Sequence, residues 1–277
     1  MRAPPPARGS AGPLLESSQR PAPTALELAG IFVHRAAVDA AAVSALRART
    51  GAAYDALEAS GHPGLRGVTR VALPGGESFV PTASSLTLGA VLTAAEQRAL
   101  CSGLLAGPVG ESIARALGPS LALCTSQAWI RRQYAPPSYP RAHAPHGWHQ
   151  DGALGFDFLG DSGPPWPPHA MIEMVTCWVP LGRCGAHAPG LELVAHHNSA
   201  LLPPADLAEA RVLSQFGADA RVRPELEGGD ALLFPGGVLH RTHVTPQMRR
   251  DRTSIELRFF RADRVPARLL NERFVTL

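Results

Sequence analysis

The pattern of apolar and polar positions predicts helices in the first part of the chain. The run "LAGIFVHR" at 28–35 indicates a short strand, and residues 38–61 follow it with apolar side chains at helical spacing. These apolar residues are Val43, Leu46, Ala53 and Leu57. Because Gly61 closes the run, the spacing predicts one long helix that ends there.

Two shorter helices are predicted before residue 120. The first, at 93–107, opens with Thr93 and has Glu96 three residues on, which is the pattern of a capping box. The second, at 108–119, begins with a proline and ends in Gly118 and Pro119, in agreement with the usual preference for proline at the start of a helix and glycine after its end.

From about residue 120 the pattern changes to short β-type runs separated by Gly, Pro, Asp and Asn. These runs lie at 120–134, 171–181, 191–195, 220–226, 230–234, 238–244 and 252–260. Many short strands with turns between them are typical of a sandwich or barrel. We therefore expect an α+β protein in which a helical N-terminal layer packs against a β-barrel-like core.

Composition places the chain among soluble globular proteins. Its 277 residues are 45% hydrophobic with a mean hydropathy near zero, and no apolar run reaches the roughly 18 residues of a membrane span. Residues 1–24 are rich in Pro, Ser, Gly and Ala and are predicted to be a disordered tail. Residues 25–277 are predicted to form a single domain. The four cysteines form no CxxC pair, which favours free thiols and a cytoplasmic location.

The net charge of +3 does not indicate a nucleic-acid partner. All 26 basic residues are arginine, and they are scattered along the chain rather than gathered into the stripe that nucleic acid requires. The expected partner is a small molecule.

The candidate chemistry begins at "HAPHGWHQDGALGF", residues 143–156. In an extended backbone His149 and Asp151 point to the same side, so an imidazole and a carboxylate could share one metal ion. The best third ligand is His240, which follows an apolar strand step, with His243 as its competitor. Two histidines and a carboxylate suit non-haem Fe(II), and Zn²⁺ accepts the same donors.

The strand at 252–260 favours iron with an organic co-ligand. One face carries only polar side chains, namely Arg252, Ser254, Glu256 and Arg258, and the other face is mostly apolar. Such a polar face fits a half-buried strand if it lines a cavity. Arg252 and Ser254 could then bind a carboxylate by charge-assisted hydrogen bonds. A dicarboxylate that chelates iron at one end and meets Arg252 at the other would fit, and 2-oxoglutarate is such a molecule.

Several further residues are candidates for contacts with the substrate. They are Arg131, Gln133, Phe156, Trp166, His243 and Arg258. Each has an ordinary structural interpretation as well: a solvated sheet face, a core aromatic, or, for Arg258, a cross-strand pair with a carboxylate. The proline-rich stretch at 160–169 is a candidate lid. His143 and His146 are interpreted as loop residues, and His196 and His197 as structural.

The sequence resembles the phytanoyl-CoA dioxygenase-like branch of the Fe(II)/2-oxoglutarate-dependent oxygenases. The resemblance is carried by "WHQDG" (148–152), "CWVPLG" (177–182), "APGLELVAHHNS" (188–199) and "GGDALLFPGGVLHRTH" (228–243), with the "RTS" that begins at Arg252. In one departure, "VAHH" stands where the family usually has "PGSH".

The resemblance implies a double-stranded β-helix, a jelly-roll or cupin-like core. It also implies His149, Asp151 and His240 as iron ligands and Arg252 as the partner of the distal carboxylate of 2-oxoglutarate. Related halogenases replace the aspartate with a small residue, so Asp151 favours hydroxylation of a small organic substrate by O2, with release of succinate and CO2. An amino acid, an acyl amino acid or a specialised metabolite is the expected substrate. Two alternatives are a cupin-like isomerase or hydrolase with another divalent metal, and a non-catalytic metal-binding protein.

Overall fold

The computed structural model describes residues 24–59, 69–73, 76–80, 85–136, 145–153, 171–266, 269 and 272–277. Its α-helices are α1 (Ala25–Leu28), α2 (Ala40–Ala59), α3 (Ala94–Leu105), α4 (Pro108–Leu117) and α5 (Glu209–Phe216). The three helices expected from the apolar spacing are therefore confirmed. The capping box is present, because the Thr93 side chain accepts from the Glu96 backbone N–H and the Glu96 side chain accepts from the Thr93 backbone N–H.

The strands are β1 (Phe32–His34), β2 (Thr69–Leu73), β3 (Gly76–Val80), β4 (Ser85–Thr87), β5 (Leu121–Cys124), β6 (Trp129–Gln133), β7 (His149–Gln150), β8 (Met174–Pro180), β9 (Gly190–Val194), β10 (Arg221–Val222), β11 (Ala231–Pro235), β12 (Leu239–His243), β13 (Arg252–Arg261) and β14 (Phe274–Thr276). An eight-stranded sheet has the order β1-β11-β8-β13-β5-β14, with β6 beside β13 and β4 beside β6. A four-stranded sheet has the order β10-β9-β12-β7, and β2 pairs with β3. All these pairs are antiparallel.

The two larger sheets pack face to face. Trp178 and Phe234 of the eight-stranded sheet share a buried cluster with Leu191 and Leu193 of the four-stranded sheet. The outer face of the larger sheet packs against the helices, and this larger cluster includes Ile113 of α4 and Leu257 of β13. Two facing antiparallel sheets with helices on one side form the expected double-stranded β-helix with its helical layer.

Strand β13 separates the apolar core from the cavity between the sheets. Ile255, Leu257 and Phe259 are buried in the cluster shared with the helices. Arg252 and Arg258, on the opposite face, line the cavity. Each buried apolar side chain contributes about 2 kcal/mol to folding, so the core holds the polar face of β13 in place.

Several local expectations were wrong. Leu28 belongs to α1, so the first strand is shorter than 28–35. The single strand expected at 120–134 is two strands, β5 and β6, separated by a 3₁₀ turn at Thr125–Gln127. They pair with different parts of β13, β6 with Arg252–Glu256 and β5 with Phe259–Arg261. Because the turn interrupts the ladder opposite residues 257 and 258, it leaves the Gln127 carbonyl free to accept from the Arg258 side chain, at 2.9 Å.

Two general expectations can be compared with the described residues. The four cysteines Cys101, Cys124, Cys177 and Cys184 are free and buried, as expected. Among the described helices, none has the length and apolar character needed to cross a membrane. The proposed tail lies outside the described residues apart from Thr24, and so does the candidate lid at 160–169.

Candidate active site

Three side chains from two neighbouring strands converge at one end of the cavity. His149 on β7 is the cross-strand partner of His240 on β12, and Asp151 follows β7 directly. The Nε2 atoms of both histidines lie 3.9 Å from Asp151 Oδ1. One donor atom from each residue lies within 4.8 Å of the other two. These three side chains could therefore hold one metal ion together, and two histidines with one carboxylate suit Fe(II).

The backbone fixes the orientation of both imidazole rings. Nδ1 of His149 lies 2.8 Å from the Gly147 carbonyl oxygen, and Nδ1 of His240 lies 3.1 Å from the Val238 carbonyl oxygen. Since a carbonyl can only accept, each Nδ1 carries the proton and each Nε2 keeps its lone pair for the shared centre. Burial lowers the pKa of His149, and the neighbouring His240 lowers it further, to about 3. This imidazole is therefore neutral at neutral pH, as a metal ligand must be.

Both oxygens of the Asp151 carboxylate have a donor. Oδ2 accepts from the Thr176 hydroxyl at 2.5 Å, and Oδ1 lies 3.3 Å from Nη2 of Arg258. Burial raises the pKa of Asp151, but Arg258, the two histidines and Thr176 outweigh burial and lower it well below its usual value. The carboxylate is thus ionised and held with Oδ1 towards the histidines.

Arg252 lies in the same cavity and has no carboxylate partner among the described residues. Its side chain is buried, its Nη1 donates to Ser254 Oγ at 2.6 Å, and its guanidinium carbon lies 5.1 Å from the centre of the Trp178 ring. Its Nε and the Trp178 Nε1 have no hydrogen-bond partner within the described part of the chain. Burial lowers the pKa of Arg252. A buried cation with an open donor is costly, so this end of the cavity is suited to an anion.

The remaining polar wall of the cavity carries a second ion pair. Arg131 Nε lies 2.9 Å from Glu256 Oε2, and Arg131 Nη1 lies 2.9 Å from His146 Nε2. Gln133 and Thr242 also line the cavity. His146, interpreted from the sequence as a loop residue, therefore belongs to the cavity wall.

The structure brings most of the sequence-predicted residues together. His149, Asp151, His240, Arg252, Arg131, Gln133 and Arg258 all line one cavity. His243 does not line it: on β12 the side chains of His240 and Thr242 face inward, so His243 lies on the outer face with Arg241. Phe156, Trp166 and His143 lie outside the described residues.

Two residues that position the site were missed from the sequence. Thr176 is the third residue of the otherwise apolar strand "MVTCWVP", and this isolated hydroxyl was a usable signal. Gln150 is buried, donates to the Gly237 and Ala200 carbonyls, and accepts from the Leu202 backbone N–H. Its role depends on distant backbone atoms, which no local pattern reveals.

The two ligand-bearing segments touch through glycine backbone. The Gly152 N–H donates to the Gly236 carbonyl at 2.8 Å. A Cβ atom at Gly152 would lie 3.0 Å from that oxygen and 2.7 Å from Met171 Cγ. No larger residue fits there without displacing a neighbour, so the "HQDG" and "PGG" segments hold each other at a fixed separation.

A double-stranded β-helix that presents two histidines and a carboxylate defines a cupin-like protein with a facial-triad site. The chain belongs to the phytanoyl-CoA dioxygenase (PhyH) family, whose model matches residues 26–250. The match ends before Arg252, so the argument for that residue rests on the geometry above.

Solved structures with the same fold come from non-haem enzymes. EctD from S. alaskensis with bound Fe has a TM-score of 0.53 and 13% identity, covering 85% of this chain and 74% of that one. HygX from Streptomyces hygroscopicus with nickel and 2-oxoglutarate bound has a TM-score of 0.52 and 16% identity, covering 86% and 85%.

The carbocyclase SnoK from nogalamycin biosynthesis, described as alpha ketoglutarate dependent, has a TM-score of 0.50 and 16% identity, covering 91% and 88%. At these identities the likeness establishes the fold. A search of the curated proteins finds no significant match.

Proposed function

We propose that this protein is an Fe(II)/2-oxoglutarate-dependent oxygenase that hydroxylates a small organic substrate. The observation that carries the proposal is the buried guanidinium of Arg252, which has no carboxylate partner among the described residues and lies in the same cavity as the triad. A binding site for a metal alone has no need of it. A co-substrate that is anionic at both ends accounts for the triad and for Arg252 together.

Each residue has a defined task in this proposal. His149, Asp151 and His240 hold Fe(II), and Arg252 with Ser254 binds the distal carboxylate of 2-oxoglutarate. Bound iron and 2-oxoglutarate supply the oxidation of the substrate by O2, with release of succinate and CO2. The protein orients the reactants and excludes water, for which the buried side chains of Trp178 and Phe234 are suited.

Hydroxylation is the proposed outcome because the triad keeps its carboxylate. Asp151 occupies the position at which, by the family resemblance, halogenases have a small residue, and Thr176 and Arg258 hold it there. The cavity wall with Arg131, His146 and Thr242 favours a polar substrate, such as an amino acid or acyl amino acid.

The test is an anaerobic titration of the Fe(II)-loaded protein with 2-oxoglutarate, monitored by visible absorbance. A metal-to-ligand charge-transfer band that saturates supports the proposal, and Asp151→Ala is expected to abolish it. A protein that binds Fe(II) or Zn²⁺ tightly but develops no band would overturn the proposal in favour of a cupin-like isomerase or hydrolase.

The substrate is best sought by succinate release in air. Amino acids, acyl amino acids and terpenoids are incubated with the protein, Fe(II) and 2-oxoglutarate, and succinate is measured against the Asp151→Ala protein. Product mass then distinguishes hydroxylation, which adds one oxygen atom, from other oxidations. An absence of succinate with every compound, despite a saturating charge-transfer band, would favour the non-catalytic binding protein.

A further inference from the structure

Asp151 Oδ1 faces two kinds of partner at once. It is the oxygen that lies 3.9 Å from both histidine Nε2 atoms, and it also lies 3.3 Å from Nη2 of Arg258. The side chains of Asp151 and Arg258 are each only 4% exposed, so water screens this pair weakly. A metal ion held by the triad would therefore share its carboxylate oxygen with a buried guanidinium.

Arg258 is fixed where it stands. Its Nη1 donates to the Gln127 carbonyl at 2.9 Å, in the break between β5 and β6, and its Nη2 lies 3.5 Å from Glu256 Oε2. An arginine guanidinium keeps its positive charge in proteins. The guanidinium therefore stays charged, and these contacts anchor it beside Asp151.

A fixed positive charge at this position has opposite effects on the two ligands of the site. It repels a divalent cation and draws electron density from the carboxylate oxygen that would bind it. It attracts an anion that binds next to the metal. Glu256 offsets this charge only in part, since its carboxylate is shared with Arg131 at 2.9 Å.

We propose that Arg258 is a positioning residue that makes metal binding depend on the anionic co-substrate. It orients Asp151 for the triad, weakens the site for a divalent metal alone, and strengthens it when a carboxylate binds beside the metal. The proposal rests on the proposed function, because it takes 2-oxoglutarate as the anion.

The experiment measures the coupling between the two ligands. Co²⁺ affinity is determined by calorimetry without and with saturating 2-oxoglutarate, for the native protein, Arg258→Gln and Arg258→Lys. Arg261→Gln is the matched control, an arginine on the same strand that pairs with Asp263 at the surface. By linkage, the ratio of the two Co²⁺ affinities equals the factor by which the metal strengthens 2-oxoglutarate binding.

We expect this ratio to fall about tenfold in Arg258→Gln, within the usual range for coupled sites, and to be largely kept in Arg258→Lys and Arg261→Gln. A purely structural role predicts that Co²⁺ affinity drops equally with and without 2-oxoglutarate. An unchanged ratio in Arg258→Gln would overturn the proposal.

A second variant keeps the test decisive if Arg258→Gln does not fold. Glu256→Gln removes the carboxylate that offsets Arg258 and Arg131, so the ratio should rise, and a fall or no change would contradict the proposal. Failure of the proposed function is a distinct result: the native protein itself would bind no 2-oxoglutarate in the presence of metal.

Discussion

Two clusters of three arginines and two carboxylates lie on different sides of the smaller sheet. The inner cluster, in the cavity, consists of Arg131, Arg252, Arg258, Asp151 and Glu256. The outer cluster consists of Arg221, Arg223, Arg241, Glu192 and Glu209. Their compositions are matched in charge, but the inner cluster is more deeply buried and its charges are paired differently.

In the outer cluster every guanidinium has a carboxylate. The Glu192 side chain is 0% exposed and accepts from all three arginines at 2.6–2.9 Å. Glu209 accepts from the Trp148 indole N–H at 2.7 Å, and the Arg241 guanidinium lies 4.6 Å from the centre of the Trp148 ring. The charges of the outer cluster are therefore paired with one another, and these contacts hold together the strands that carry His149 and His240.

In the inner cluster the pairing is incomplete. Arg131 and Arg258 have carboxylates at 2.9 and 3.3 Å, whereas the described residues offer Arg252 a serine hydroxyl and an aromatic face but no carboxylate. A cluster whose charges are all paired stabilises the fold, whereas a cluster with one unpaired cation is suited to bind an anionic ligand. The arginine without a carboxylate partner, Arg252, indicates the anion-binding site, and the number of arginines does not.

The largest expected effect is on 2-oxoglutarate binding and comes from replacing Arg252. Arg252→Met should weaken 2-oxoglutarate binding about a thousandfold, because two charge-assisted hydrogen bonds of about 2 kcal/mol each are lost. It should also raise the melting temperature of the protein without 2-oxoglutarate, since a buried unpaired charge is removed. Absorbance titration and calorimetry measure the two effects. A loss of stability would mean that Arg252 has a structural partner and would break the contrast between the clusters.

The next largest effect is expected in the outer cluster, where removing a charge should destabilise the protein. Glu192→Gln leaves three guanidiniums without their central carboxylate, so the free energy of unfolding should fall by about 3 kcal/mol. Urea denaturation measures it, with Glu225→Gln, a half-exposed surface carboxylate, as the control. A loss below about 1 kcal/mol would contradict the structural role assigned here.

Acid should weaken the outer cluster in a defined range. Burial raises the pKa of Glu192, but hydrogen bonds from Arg221, Arg241 and Arg223 outweigh burial and lower it from 4.5 to about 2. A carboxyl with a pKa lowered on folding stabilises the protein above its unfolded value, and this stabilisation is lost as the pH falls through the folded value. The stability difference between the native protein and Glu192→Gln should therefore shrink between about pH 4.5 and pH 2. Urea denaturation at each pH measures this difference, and a difference that stays constant from pH 4.5 to pH 2 would contradict the prediction.

The smallest effect is expected at an exposed ion pair outside both clusters. Arg183 contacts Glu225 and Glu227 at 3.4 and 3.2 Å, and its side chain is 62% exposed. Arg183→Ala should change the free energy of unfolding by less than about 0.5 kcal/mol. A larger loss in urea denaturation would show that pairing alone, without burial, distinguishes the clusters.

The parts of the site that follow a local rule could be predicted from the sequence. The two-residue spacing of His149 and Asp151 and the alternation along β13 place side chains on a known face of an extended backbone. The helical layer followed from apolar spacing and a capping box in the same way. These predictions needed no knowledge of which strands are neighbours.

The parts that depend on strand register could not be predicted. Arg258 reaches Asp151 because β13 pairs with β8 so that Arg258 lies opposite Thr176. Arg241 meets Glu192 because β12 pairs with β9 in one particular alignment. His243 is a different case, because alternation from His240 along the same strand already puts it on the outer face. Its place among the cavity candidates was an error that a local rule could have prevented.

The contact between Gly152 and Gly236 has a consequence for how such a protein diversifies. The separation of the two ligand-bearing segments is set by backbone against backbone, and the buried Gln150 side chain adds a second link to the Gly237 carbonyl. Substitutions at cavity-wall residues without a contact to the triad, such as Gln133 and Thr242, can accumulate without moving His149, Asp151 or His240. Proteins with this scaffold can thus change substrate while they keep the metal centre. A deep mutational scan should find Gly152 and Gly236 intolerant of substitution and Gln133 and Thr242 more tolerant.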